Sequence, residues 1–152
     1  MREAAIALMA AAPLAAPAQD SRSATVEAVT CGGAALALRL LREREVEDGY
    51  ASAEPQAEDA RRAHLAIGLQ AARATGCGMN QITYEVGTTL AAHERLRAVR
   101  RAAPDGVGFA RETRRVADEV QTCLADRGGS DLYALIEPRD DRGLIEPCGW
   151  RE

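Results

Sequence analysis

Four cysteines, Cys31, Cys77, Cys123 and Cys148, carry the clearest chemistry in this 152-residue chain. No two of them form the C-x-x-C pair that thiol exchange uses, so they read as disulfide partners rather than redox groups. Two disulfides closing loops of tens of residues would each contribute about 3 to 4 kcal/mol in the chain-entropy model. Four cysteines allow three pairings. The pairing of nearest neighbours, Cys31 with Cys77 and Cys123 with Cys148, is the one favoured here.

The other groups that could do chemistry are few. His64 and His93 are the only histidines, and each lies beside an apolar stripe, where an imidazole satisfied by its neighbours is the ordinary finding. His93-Glu94 lacks the second histidine of a zincin helix. No G-x-S-x-G elbow carries a serine nucleophile. Gly76-Cys77-Gly78 lacks the third glycine of a dinucleotide loop and follows a helical pattern. Asp140 and Asp141, with Glu137 and Glu146, lack the spacing of a calcium loop. No cofactor or metal is therefore expected.

The charges are unevenly placed. Between Glu43 and Asp59 the chain carries seven acids and one arginine, a net of −6. Between Glu94 and Arg115 it carries seven arginines and three acids, a net of +4. Arg97, Arg100, Arg101, Arg111, Arg114 and Arg115 are the candidate partner-binding residues, because a clustered surface of one sign can steer a charged partner. Mutual ion pairing between the two segments is the plainer account, and exposed pairs contribute about 0 to 1 kcal/mol each. The net charge of −4 excludes a strongly basic nucleic-acid binder. All 19 basic residues are arginine and none is lysine, a uniform usage that points to GC-rich coding.

The elements that must position these groups are helical. The first eighteen residues, MREAAIALMAAAPLAAPA, read as a secretory signal peptide with Arg2 at the start, an apolar run over 4–12 and a small-x-small site at Ala16-Pro17-Ala18. Cleavage would start the mature chain at Gln19 and place the cysteines in an oxidising compartment, periplasmic or secreted. Charges interrupt every later apolar run, so no transmembrane segment is expected after cleavage. Residues 19–152 suit one domain.

Within it, helix 1 is expected over about 24–48, with Val26, Val29, Leu36 and Leu40 on one face. Gly32-Gly33 inside that pattern means either a later start or a backbone packed closely there. Helix 2 is expected over 55–75, with Ser52 or Glu54 as its cap and Gly76 ending it. Helix 3 is expected over 80–102, with Ile82, Val86, Leu90, His93 and Leu96 as its core stripe. Helix 4 has the cleanest pattern, with Phe109, Thr113, Val116, Val120 and Cys123 at heptad spacing. The repeat Leu135-Ile136-Glu137-Pro138 and Leu144-Ile145-Glu146-Pro147 suggests a C-terminal hairpin or two extended arms.

The expected fold is all-α, a small up-down bundle of about four helices stapled by two disulfides, with a short extended tail or hairpin. The expected function is a non-catalytic protein-binding module of the inhibitor, immunity or envelope-interaction type. Its expected partner is another envelope or extracellular protein. The alternatives are a small secreted enzyme with its site near His93 and a small-ligand carrier using a cavity between alanine-rich helices.

Overall fold

The computed structural model describes residues 17–152 apart from 104 and 147, so most of the expected signal segment lies outside the described residues. Four long helices form the bundle: α1 (Pro17–Glu47), α2 (Glu54–Ala74), α3 (Gln81–Ala102) and α4 (Gly106–Ala125). A one-turn helix α5 (Ser130–Tyr133) and a two-residue hairpin follow, β1 (Leu144–Ile145) with β2 (Trp150–Arg151). This is the expected all-α bundle with a short C-terminal hairpin.

The helix ends follow local chemistry. Asn80 caps α3 by accepting from the Thr83 amide at 2.8 Å, and Asp105 caps α4 by accepting from the Gly108 amide at 2.7 Å. At α2 neither Ser52 nor Glu54 caps: Ala53 occupies the cap position with no side-chain bond, and Pro55 sits in the first turn, where its missing N–H costs nothing. Gly76 ends α2 in the left-handed region at φ 59°, as the sequence led us to expect.

α1 packs against α2, α3 and α4, and this makes it the hub of the bundle. Its middle is buried almost all round: Cys31, Gly32, Gly33, Ala34, Ala35, Ala37 and Leu38 are closed to solvent. A helix apolar on every side belongs inside, whereas the expected stripe would have buried one face only. Val26 and Leu40 of that stripe are instead exposed, at 62% and 37%. The stretch Ser21–Glu47 has the length and apolarity of a membrane span, contrary to the sequence expectation, and half of its apolar window is buried in the bundle.

Small residues let the neighbours approach the hub. A Cβ on Gly32 would collide with the Tyr84 hydroxyl, so the helix runs unbroken through Gly32-Gly33 because α3 packs there. Gly68 of α2 plays the same part from the other side: an added Cβ would lie 2.5 Å from Tyr84 Cε1 and 2.6 Å from Trp150 Cζ3. Tyr84 thus fills a notch between α1 and α2, and its hydroxyl donates to the His64 carbonyl at 2.5 Å. Trp150 closes over it, with ring centroids 5.4 Å apart.

The cysteines pair as Cys31–Cys123 and Cys77–Cys148, which corrects the nearest-neighbour pairing. Cys31 was expected near the start of its helix, but α1 begins at Pro17 and places it mid-helix. There it stands level with His64, which bonds the Gly32 carbonyl, while Cys77 lies beyond the far end of α2. About 15 Å or more of helix separates those two levels, well outside the Cα separation of under 7 Å that a disulfide spans. The observed bonds have Cα separations of 5.8 and 5.6 Å. Cys31–Cys123 ties α1 to the last turn of α4 inside the core, and Cys77–Cys148 ties the α2–α3 turn to the tail at the surface.

The tail repeat is not a structural repeat. Leu135-Ile136 falls in a 3-10 turn that leads into a cis Glu137–Pro138 bond, while Leu144-Ile145 is β1. β1 pairs with β2, Ile145 opposite Trp150, and Arg139 bridges to Ile145. Glu152 then pairs with Arg61 and Arg139, and Arg151 exchanges two hydrogen bonds with Gln81.

Gly68→Ala is expected to destabilise the fold by about 1 to 3 kcal/mol through overpacking. Gly106→Ala, where an added methyl meets nothing within 4 Å, is the control and leaves the urea midpoint nearly unchanged.

Candidate functional site

The six candidate arginines come together. Arg97, Arg100 and Arg101 lie in the last two turns of α3, and Arg111, Arg114 and Arg115 in the first turns of α4, which starts after a short turn. All six are exposed. The acidic segment occupies the same end, on the C-terminal turns of α1 and the start of α2.

The two segments do not neutralise one another. Five of the seven acids pair with arginines close to them in sequence: Glu43 with Arg39 at 2.7 Å, Glu45 with Arg42 at 2.7 Å, Glu47 and Asp48 with Arg44 at 3.7 and 3.4 Å, and Glu58 with Arg61 at 2.8 Å. On the arginine side, Arg97 meets Glu94 at 3.6 Å and Arg115 meets Glu112 at 2.9 Å. Arg95 crosses from α3 to Glu119 of α4 at 2.6 Å. Among the described residues no ion pair joins the acidic segment to the arginine segment, and Arg100, Arg101, Arg111 and Arg114 pair with no carboxylate. Arg39, Arg42 and Arg61, which flank the acidic stretch and pair with its carboxylates, reduce its net charge from −6 to −3. Arg100, Arg101, Arg111 and Arg114 remain as exposed arginines without carboxylate partners.

A groove of about 570 Å³ runs into this end between α1, α3 and α4. Leu40, Leu41, Leu96, Val99 and Phe109 line it, with Glu43, Arg44, Glu47 and Arg100 around them. It combines apolar depth with charged edges, the composition of a protein-recognition site.

Comparison with known proteins finds no family model, no curated protein and no solved structure that matches the chain.

The histidines divide. His93 stands exposed on the outer face of α3, not on a core stripe, and Glu94 beside it is taken by Arg97. His64 is the enclosed one: its ring lies 5.0 Å from that of Tyr84 and its Nδ1 is 3.0 Å from the Gly32 carbonyl. A carbonyl only accepts, so Nδ1 carries the proton and Nε2 keeps its lone pair. His64 lines a groove of about 320 Å³ together with Leu36, Leu65, Glu85 and Trp150. Burial holds the imidazole below its ordinary value of 6.5, and the Gly32 bond and the Glu85 carboxylate offset that only in part. Among the described residues no three carboxylate, imidazole or thiol groups gather to hold a metal ion.

Sequence reasoning missed one surface outright. Ile82, Val86 and Leu90 were assigned to the core but are 75%, 56% and 66% exposed, while Tyr84, Thr88, Ala92 and Val99 are the buried face of α3. The hydropathy of α3 points one way and its packing the other. Tyr84 fits the notch left by Gly32 and Gly68, and Thr88 buries its hydroxyl at no cost because it donates to the Tyr84 carbonyl at 2.9 Å. Three aliphatic side chains, each worth about 1.5 to 3 kcal/mol on full burial, are left in water.

Because the folded state resists protonating His64, stability is full above about pH 6.5 and declines as pH falls from there toward the folded pKa. Thermal or urea unfolding between pH 7.5 and 5 should show this decline, no steeper than about 1.4 kcal/mol per pH unit for one proton. His64→Asn, which retains a donor for Gly32, should flatten it, and His93→Ala should leave it in place.

Proposed function

We propose that this chain is an extracytoplasmic, disulfide-stapled binding module whose arginine end docks an acidic region of a partner protein of the envelope or extracellular space. The observation that carries the reading is the set of four exposed arginines, Arg100, Arg101, Arg111 and Arg114, without counter-ions although an acidic stretch lies at the same end. Exposed ion pairs stabilise a fold little, so four unpaired arginines at one end add nothing to folding. Presented to an acidic partner, the same charges raise the encounter rate and fix orientation. Arginine suits this part, since its planar fork meets a carboxylate bidentately.

Two disulfides, one buried and one at the surface, and an alanine-filled interior hold the helices that carry this end. Binding there does not have to supply the ordering that a flexible surface would lose. The groove between α1, α3 and α4 offers a receptacle for one apolar side chain of the partner beside the arginines. Export and the oxidising compartment belong to the same reading, supported by the two disulfides and by the signal-like opening of the chain.

Crosslinked affinity capture with the oxidised chain from an envelope fraction tests it, with the captured proteins identified by mass. Arg100→Glu with Arg101→Glu should reduce capture about ten-fold or more and leave the melting temperature within about a degree, because both side chains are exposed. Capture should also weaken as salt rises from 50 to 300 mM. Capture unchanged by the double reversal, or unaffected by salt, contradicts the reading.

A further inference from the structure

We propose that the partner engages through an amphipathic helix, apolar in one half and acidic in the other, lying lengthwise along the outward face of α3; this rests on the docking role of the arginine end. Ile82, Val86 and Leu90 follow one another at four-residue spacing and continue into His93, Arg97 and Arg101 within an arc of about 100°. The buried residues Tyr84, Thr88, Ala92 and Val99 occupy the opposite side of the same helix. The outward face is therefore a single line, apolar over its first half and basic over its second, about 28 Å from Ile82 to Arg101 at the helical rise.

Charge complementarity and the aliphatic stripe together define the occupant. An exposed line of three large aliphatic residues on a helix that buries alanine and threonine is a surface kept for contact. Anchors spaced at i, i+4 and i+8 match a helix laid alongside, which presents its own apolar residues at the same interval. The arginines that continue the line require carboxylates farther along the same partner face. An anionic bilayer fits less well, because a helix lying in a membrane interface is apolar along its whole length with cations on its flanks. Here Arg97 and Arg101 share the angular position of Val86 and Leu90 and would be driven to the same depth.

The probes are fluorescent 22-residue helical peptides with three leucines at four-residue spacing in one half and three in-line glutamates in the other. They are made in both orders of the halves and as a scramble of the same composition, and anisotropy is read with the full oxidised chain. At least one ordered peptide should bind ten-fold or more tightly than the scramble. Val86→Glu with Leu90→Glu should abolish that preference without lowering the melting temperature, and Arg97→Glu with Arg101→Glu should weaken binding and flatten its salt dependence. Scrambled and ordered peptides binding alike would overturn the inference. So would binding that survives Val86→Glu with Leu90→Glu, or binding confined to vesicles with one-quarter anionic lipid and lost in that same double variant. If Arg100→Glu with Arg101→Glu still abolishes protein capture in any of those cases, the arginine-end reading stands while this one falls.

Discussion

Tyr84 occupies space that only glycine can leave free. Its ring lies where a Cβ of Gly32 on α1 and of Gly68 on α2 would have been, its hydroxyl donates to the His64 carbonyl, and Trp150 of the tail packs on its outer side. Three helices and the tail meet at this one side chain. With the phenol fully enclosed, α3 can adopt only the rotation that points Tyr84 inward. Everything on the opposite side of that helix is then turned to water.

That rotation explains what was legible in the sequence and what was not. α2 and α4 were legible because their apolar residues and their contacts coincide: Val116, Val120 and Cys123 repeat at helical spacing and are buried. α1 was legible as a helix but not as a hub. Its burial comes from alanine and glycine, whose closeness to a neighbour leaves no trace in a hydropathy pattern. α3 failed for the complementary reason, since its large aliphatics signalled a core while shape complementarity at Tyr84 outweighed them. The pairing of the cysteines failed because α1 starts earlier than its apolar pattern does, which moved Cys31 from the bundle end to the middle.

The candidate site was half legible. The arginine cluster is a property of sequence brought together by an ordinary α3–α4 turn. Its lack of counter-ions is not readable from net charges, because Arg39 and Arg61 lie outside the acidic window yet satisfy its carboxylates. Structure thus showed the two signs at this end to be paired separately, which leaves four of the arginines without carboxylate partners. It also joined that end to an aliphatic line on α3, giving one surface with two chemistries. The disulfides serve that surface indirectly: one fixes α4 to the hub, and the other ties the tail to the turn between α2 and α3.

The central claim is that the α3 rotation set by Tyr84 leaves its aliphatic face in solvent, available to a partner. Paramagnetic relaxation of methyl groups by a soluble gadolinium chelate measures this directly. Strong enhancement is predicted at Ile82, Val86 and Leu90, with little at Val99, Val116 and Val120 of the core. Protection of the first three to the level of Val99 would contradict it.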